Sequence, residues 1–183
     1  MDELFEKSKK IQDDATKLLN DSKLIEFLSK FGKVEMTGSY VYDLMMSGDI
    51  DIEVFGNFTR ESAKKILNEL ISKTDFTGYM FFDWVKYNNP KWPHGYYIGI
   101  KQIIAGYSHQ WKIDIWLIKK NRNKTDLDER LQNIDQKTKK IILALKNWTK
   151  EKDCQSDSMP IYNAVINCGV KNIEDYQKYL KTV

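Results

Sequence analysis

The sequence is poor in the features that mark several classes of protein, and each shortage narrows what it can be. It has two cysteines, Cys154 and Cys168, with no metal-ligand spacing and no histidine nearby. That argues against a disulfide framework or a cysteine-built zinc site and for reduced structural thiols. The two histidines, His94 and His109, fall at loop or hairpin positions and form no ligand pair. No apolar run is long enough to span a bilayer, and Met1-Asp2-Glu3-Leu4-Phe5-Glu6-Lys7 lacks the basic segment and apolar core of a signal peptide. A cytoplasmic protein without a membrane partner is expected. Excess charge is missing too: at a net +3 the composition gives no reason to expect a polyanionic partner, and most lysines read as solvated surface. Internal repeats and low-complexity segments are absent.

What is present is the material of a globular fold. Hydrophobic residues make up 42% and aromatics 13%, including ten Tyr and five Trp. A chain of 183 residues can bury a substantial core as one compact domain, or as a small domain with an appendage, but leaves no room for a separate substrate domain of ordinary size.

The pattern along the chain is mixed. Residues 2 to 30 carry helical apolar spacing, with Asn20-Asp21-Ser22 as a break that caps a second helix. Lys33 to Met36 is a short run leading to Gly38-Ser39, Tyr40 to Met46 reads as about two helical turns, and Asp49 to Phe55 as a strand of period two. Thr59 followed by Ser62 caps a helix bearing Ala63, Ile66, Leu67, Leu70 and Ile71. Strands are expected over Tyr79–Tyr87, Tyr96–Gly106 and Gln110–Ile118, with a hairpin at Gly106-Tyr107-Ser108-His109. Lys119 to Thr125 is a polar connector and the one candidate boundary, dividing a core over 1–120 from a helical segment over 121–183. Beyond it, Leu127 to Trp148 traces one long helix, Pro160 opens another that Gly169 ends, and Ile173 to Leu180 forms the last. The fold class is α+β.

The chemistry concentrates between Thr37 and Phe55. Gly38-Ser39 precedes a helix, so Ser39 sits at a helix N-terminus where free backbone N–H groups attract anions such as phosphate. In the strand that follows, Asp49, Asp51 and Glu53 share one face, while Ile50, Ile52 and Val54 share the other. Carboxylates this close repel unless a cation lies between them, and hard oxygen donors suit Mg²⁺. Further along, Asp114 stands between Ile113 and Ile115, poor strand chemistry that asks for a reason.

Gly38-Ser39, then Asp49-Ile50-Asp51 after nine intervening residues, then Asp114 on a later strand resemble the nucleotidyltransferase superfamily of DNA polymerase β, the antibiotic nucleotidyltransferases and small stand-alone versions. The resemblance covers roughly residues 33 to 118. It implies a mixed β-sheet packed by helices, and Mg²⁺-dependent transfer of a nucleoside monophosphate from a nucleoside triphosphate, ATP foremost, to a hydroxyl. By the same resemblance Asp49 and Asp51 hold the metal that escorts the triphosphate and share a second Mg²⁺, Asp114 completes that second site and either lowers the pKa of the acceptor hydroxyl or takes its proton, and Gly38 and Ser39 cradle the β- and γ-phosphates.

Other residues are open. Glu53 divides evenly between the site and a lysine partner on the next strand; Lys101 and Lys112 reach either phosphates or acidic partners. Trp84, Tyr87, Trp92, Tyr96 and Tyr97 surround one loop, as packing or as a lip that stacks a base or sugar. The acceptor is a small molecule or a protein, the near-neutral charge counting against nucleic acid. A homodimer that completes the acceptor pocket would suit so short a chain. The competing reading is a catalytically silent nucleotide-binding or interaction module, such as a toxin–antitoxin component.

Overall fold

Alternation of apolar and polar residues along the strands builds a sheet with two unlike faces. The computed structural model describes residues 3–103, 110–119, 125–152 and 157–182. Its strands are β1 (Lys33–Thr37), β2 (Asp49–Phe55), β3 (Gly78–Asp83), β4 (Gly95–Gln102) and β5 (Trp111–Ile118), in the order β1-β2-β5-β4-β3. β2 and β5 run parallel and the other neighbours antiparallel, so the sheet is mixed and the protein is α+β.

One face is a dry core. Ile50, Ile52 and Val54 of β2, Ile113, Ile115 and Leu117 of β5, and Ile98 and Ile100 of β4 are at most 1% exposed. Each such side chain contributes roughly 1.5–3 kcal/mol by leaving water. Helix α4 (Arg60–Lys73) buries Ala63, Ile66 and Leu70 and packs on β3 and β4. Its expected cap is present as a full capping box, Thr59 accepting from the Ser62 N–H while the Ser62 hydroxyl accepts from the Thr59 N–H.

The chain forms two compact units of non-consecutive segments: Asp13–Tyr40 with Ser47–Arg122, which holds the sheet, and Met1–Gln12, Val41–Met46 and Asn123–Val183. The second unit is built on α6 (Asp126–Gln132), α7 (Gln136–Glu151), α8 (Met159–Ile166) and α9 (Ile173–Tyr179). Its core gathers Leu131, Ile142, Leu145, Ile161 and Tyr176 together with Leu44 and Met46 of the 41–46 segment. Helix α7 grips that segment: Lys139 pairs with Asp43, Lys146 Nζ donates to the Leu44 carbonyl at 2.8 Å, and Lys150 Nζ donates to the Met46 carbonyl at 3.2 Å.

Several elements depart from the sequence reading. Helix α1 (Glu3–Ser22) runs through Asn20-Asp21-Ser22; the break comes at left-handed Lys23, which caps α2 (Leu24–Leu28) with no side-chain bond. The helix expected over Tyr40–Met46 is a single turn, α3 (Gly38–Val41), because Asp43 adopts φ +55°. Strand β3 stops at Asp83, whose carboxylate accepts from the Lys86 N–H and starts the helical turn α5 (Trp84–Tyr87). The long helix predicted beyond residue 127 is two, because Asp135 accepts from the Thr138 N–H and opens α7. Those backbone and side-chain bonds to Thr138 also hold the Asp135 carboxyl below its usual range. Gly169 follows α8 at φ +69°, the left-handed position expected of it. The expected hairpin at 106–109, His109, Cys154 and most of the 119–125 connector lie outside the described residues. No described helix is long and apolar enough to cross a membrane.

Candidate active site

The second face of the sheet carries the acidic residues, and strand register decides which residues meet. Across the sheet Thr37 pairs with Asp51, Asp51 with Asp114, Asp114 with Gly99, and Gly99 with Met80. Asp51 and Asp114 are thus direct neighbours on parallel strands, which lie about 4.8 Å apart. One pleat along, Asp49 faces Lys112; one pleat the other way, Glu53 faces Trp116. All five residues assigned from sequence, Gly38, Ser39, Asp49, Asp51 and Asp114, belong to the sheet-bearing unit.

Gly38 is needed for two reasons. It follows β1 at φ +68°, and a Cβ there would collide with the Asp51 carboxylate. The backbone turn and the carboxylate are therefore packed on each other. Ser39 is the second residue of α3, and one turn of helix has too few aligned peptides for a strong dipole.

The carboxylates have distinct partners. The Ser47 hydroxyl donates to Asp49 Oδ2 at 2.6 Å. Asp114 is engaged on both oxygens: the Tyr97 hydroxyl donates to Oδ1 at 2.7 Å and Lys112 Nζ donates to Oδ2 at 2.8 Å. Burial lowers the Lys112 pKa, but the bond to Asp114 and the charges of Asp114, Asp49 and Asp51 outweigh it, and the net shift is upward. Burial, the same bond and the same three charges push the Tyr97 phenol well above the tyrosine range. One ammonium and one phenol thus feel all three carboxylates.

Beside Asp114 the aromatic residues close into a circuit. Phe82 stacks on Trp84 (5.6 Å between centroids), Trp84 on Trp92 (6.2 Å) and Trp92 on Trp116 (6.0 Å). Trp116 then meets Tyr97 at 5.1 Å, and Tyr97 meets Phe82 at 5.8 Å. Of the group singled out in the sequence, Trp84, Trp92 and Tyr97 join this circuit. Tyr96 lies on the opposite face, stacked on Phe81, while Tyr87 is exposed with the Lys86 ammonium over its ring. Glu53 is buried beside Trp116 in register, and Lys101 sits opposite Lys112. Of the two lysines, Lys112 is the one with a carboxylate partner at the site.

Oxygen donors on one face fit a hard divalent cation in kind, with Asp49 and Asp51 the natural pair. Among the described residues, however, no three His, Cys, Asp or Glu side chains form a ready ligand group. Asp114, held by Lys112 and Tyr97, would join only by exchanging the Lys112 ammonium for the metal.

Sequence reasoning missed three contributors: Ser47, Gly99 and the hydroxyl of Tyr97. Ser47 could have been suspected from its place two residues before Asp49. Tyr97 and Gly99 could not, since their role depends on which residue of β4 faces Asp114.

No protein-family model matches the sequence, and no curated protein matches it. Among solved structures, a chain of the non canonical Poly(A) polymerase complex GLD-2 - GLD-3 is similar at 14% identity and a TM-score of 0.49, over 91% of this chain. This chain spans 58% of the length of that one.

Proposed function

We propose that the protein is a Mg²⁺-dependent nucleotidyltransferase, moving a nucleoside monophosphate from a nucleoside triphosphate, with ATP the first candidate, to a hydroxyl of a small molecule or a protein. The observation that carries this reading is the register of Asp51 with Asp114 on adjacent parallel strands, with the Gly38 turn packed directly on the Asp51 carboxylate. A glycine turn packed against acidic oxygens suits a metal-bound triphosphate.

Roles follow from position. The N–H groups at Gly38 and Ser39 hold the distal phosphates. Asp49, oriented by Ser47, and Asp51 hold the cation, with Asp114 as its third ligand or as the base for the acceptor proton. Mg²⁺ supplies charge neutralisation for the triphosphate and for departing pyrophosphate. Lys112, already drawn to the three carboxylates, keeps the cluster from repelling itself before the cation arrives.

Thermal melting tests the donor half. Mg²⁺ with a non-hydrolysable ATP analogue raises the melting temperature of the wild type and leaves the Asp49→Asn, Asp51→Asn double variant unmoved. Equal stabilisation of both proteins removes the metal assignment. Stabilisation of the wild type without transfer to any hydroxyl favours a silent binding module, the reading that the commitment of Asp114 to Lys112 and Tyr97 keeps in play.

A further inference from the structure

The hydroxyl that occupies Asp114 belongs to the protein itself. Where Asp114 is the base of the proposed reaction, the acceptor hydroxyl lies within hydrogen-bond reach of it, and a phenol is already there, 2.7 Å from Oδ1. We propose that Tyr97 is an acceptor in its own right and that the site transfers a nucleoside monophosphate onto the Tyr97 oxygen of its own chain. The proposal rests on the nucleotidyltransferase reading and names a substrate for it.

Three features build the phenol into this position. Tyr97 is not opposite Asp114 in the ladder; Gly99 is, and the Tyr97 side chain leans across that glycine to reach the carboxylate. A Cβ at residue 99 would meet the Tyr97 oxygen at 2.6 Å and its Cε1 at 2.9 Å, so a glycine there opens the path. Phe82 and Trp116 fix the ring from either side, which leaves the hydroxyl one direction to point. Lys112 occupies the other oxygen of Asp114, leaving Oδ1 to the phenol. Tyr97 is buried, while the Asp114 side chain that holds its hydroxyl keeps 18% of its surface.

The step balances without an oxidant or reductant. The Tyr97 oxygen attacks the α-phosphorus of the triphosphate and forms a new P–O bond. The bond from that phosphorus to the bridging oxygen of the β-phosphate breaks, pyrophosphate leaves with the electron pair, and the phenol proton passes to Asp114. The product is an aryl phosphodiester that takes the hydroxyl off Asp114 and fills the acceptor side, so the reaction stops at one nucleotide per chain.

The test uses the full chain with Mg²⁺ and ATP labelled at the α-phosphate, with no other acceptor present. The protein retains label after denaturation, up to one per chain, and peptide mass spectrometry places the added nucleoside monophosphate on Tyr97. ATP labelled at the γ-phosphate leaves none. Tyr97→Phe and Asp49→Asn fall to background, while melting with Mg²⁺ and the non-hydrolysable analogue still shifts Tyr97→Phe as it does the wild type. A melting shift with no retained label, or with label on another residue, overturns the proposal and leaves the donor reading standing. Absence of both shift and label overturns the two together.

Discussion

The two faces of one sheet solve opposite problems. On the face of Ile52, Ile98 and Ile115 the side chains at the centre of the sheet are closed to water, and each adds to stability without needing a particular partner. On the face of Asp51, Asp114 and Tyr97 the polar side chains depend on named neighbours: Ser47 for Asp49, and Lys112 and Tyr97 for Asp114. The same strands thus carry stability on alternate residues and the proposed chemistry on the residues between, so neighbouring substitutions should have unlike consequences.

The largest effect on stability is expected on the dry face. Ile115→Ala opens a cavity between β2 and β4 and costs about 2–5 kcal/mol, read as a lowered denaturant midpoint. Asp114→Asn, one residue away, changes stability by about 1 kcal/mol or less, since a neutral amide also relieves repulsion, while nucleotide transfer is lost. If the two changes destabilise the protein equally, the division of labour between faces is wrong.

Next comes Gly38→Ala, which strains a left-handed residue by about 1–2 kcal/mol and pushes on Asp51 as well. It should lower stability moderately and abolish the nucleotide-dependent melting shift. Lys112→Met is smaller and conditional: the protein melts earlier at low ionic strength, and added Mg²⁺ restores more stability than it gives the wild type. A variant indifferent to Mg²⁺ would show that Lys112 does not substitute for a cation.

The smallest effect is in alkali. Lys112 and Tyr97 both have folded pKa values above their unfolded ones, so both bind protons more tightly in the native state. Their contribution is complete below the unfolded values, near pH 10, and is lost as pH rises through the raised ones. The double variant Lys112→Met, Tyr97→Phe should show a flatter fall in melting temperature above that pH than the wild type.

Much of this was legible where a local rule decided the outcome. The period-two alternation from Asp49 to Phe55 gave β2 its bounds, the Thr59/Ser62 box opened α4, and Asp114 stood out as a charge among isoleucines. Legibility failed where distant packing prevailed over local pattern. Tyr40 to Met46 has helical spacing, but Leu44 and Met46 are buried in the core of the helical unit and α7 takes up their carbonyls, so the helix ends after one turn. Asp83 and Asp135 acted as caps inside stretches whose apolar pattern ran on unbroken. At the site, sequence supplied the acidic residues but not their partners, because Tyr97 reaches Asp114 only through the β4–β5 register.

The most direct measurement of the central claim is a crystal structure with Mn²⁺ in place of Mg²⁺ and a non-hydrolysable nucleoside triphosphate, the ion located by its anomalous scattering. The account predicts the ion between the carboxylates of Asp49 and Asp51, with the distal phosphates against the Gly38-Ser39 backbone. An ion and nucleotide bound away from these residues would contradict it.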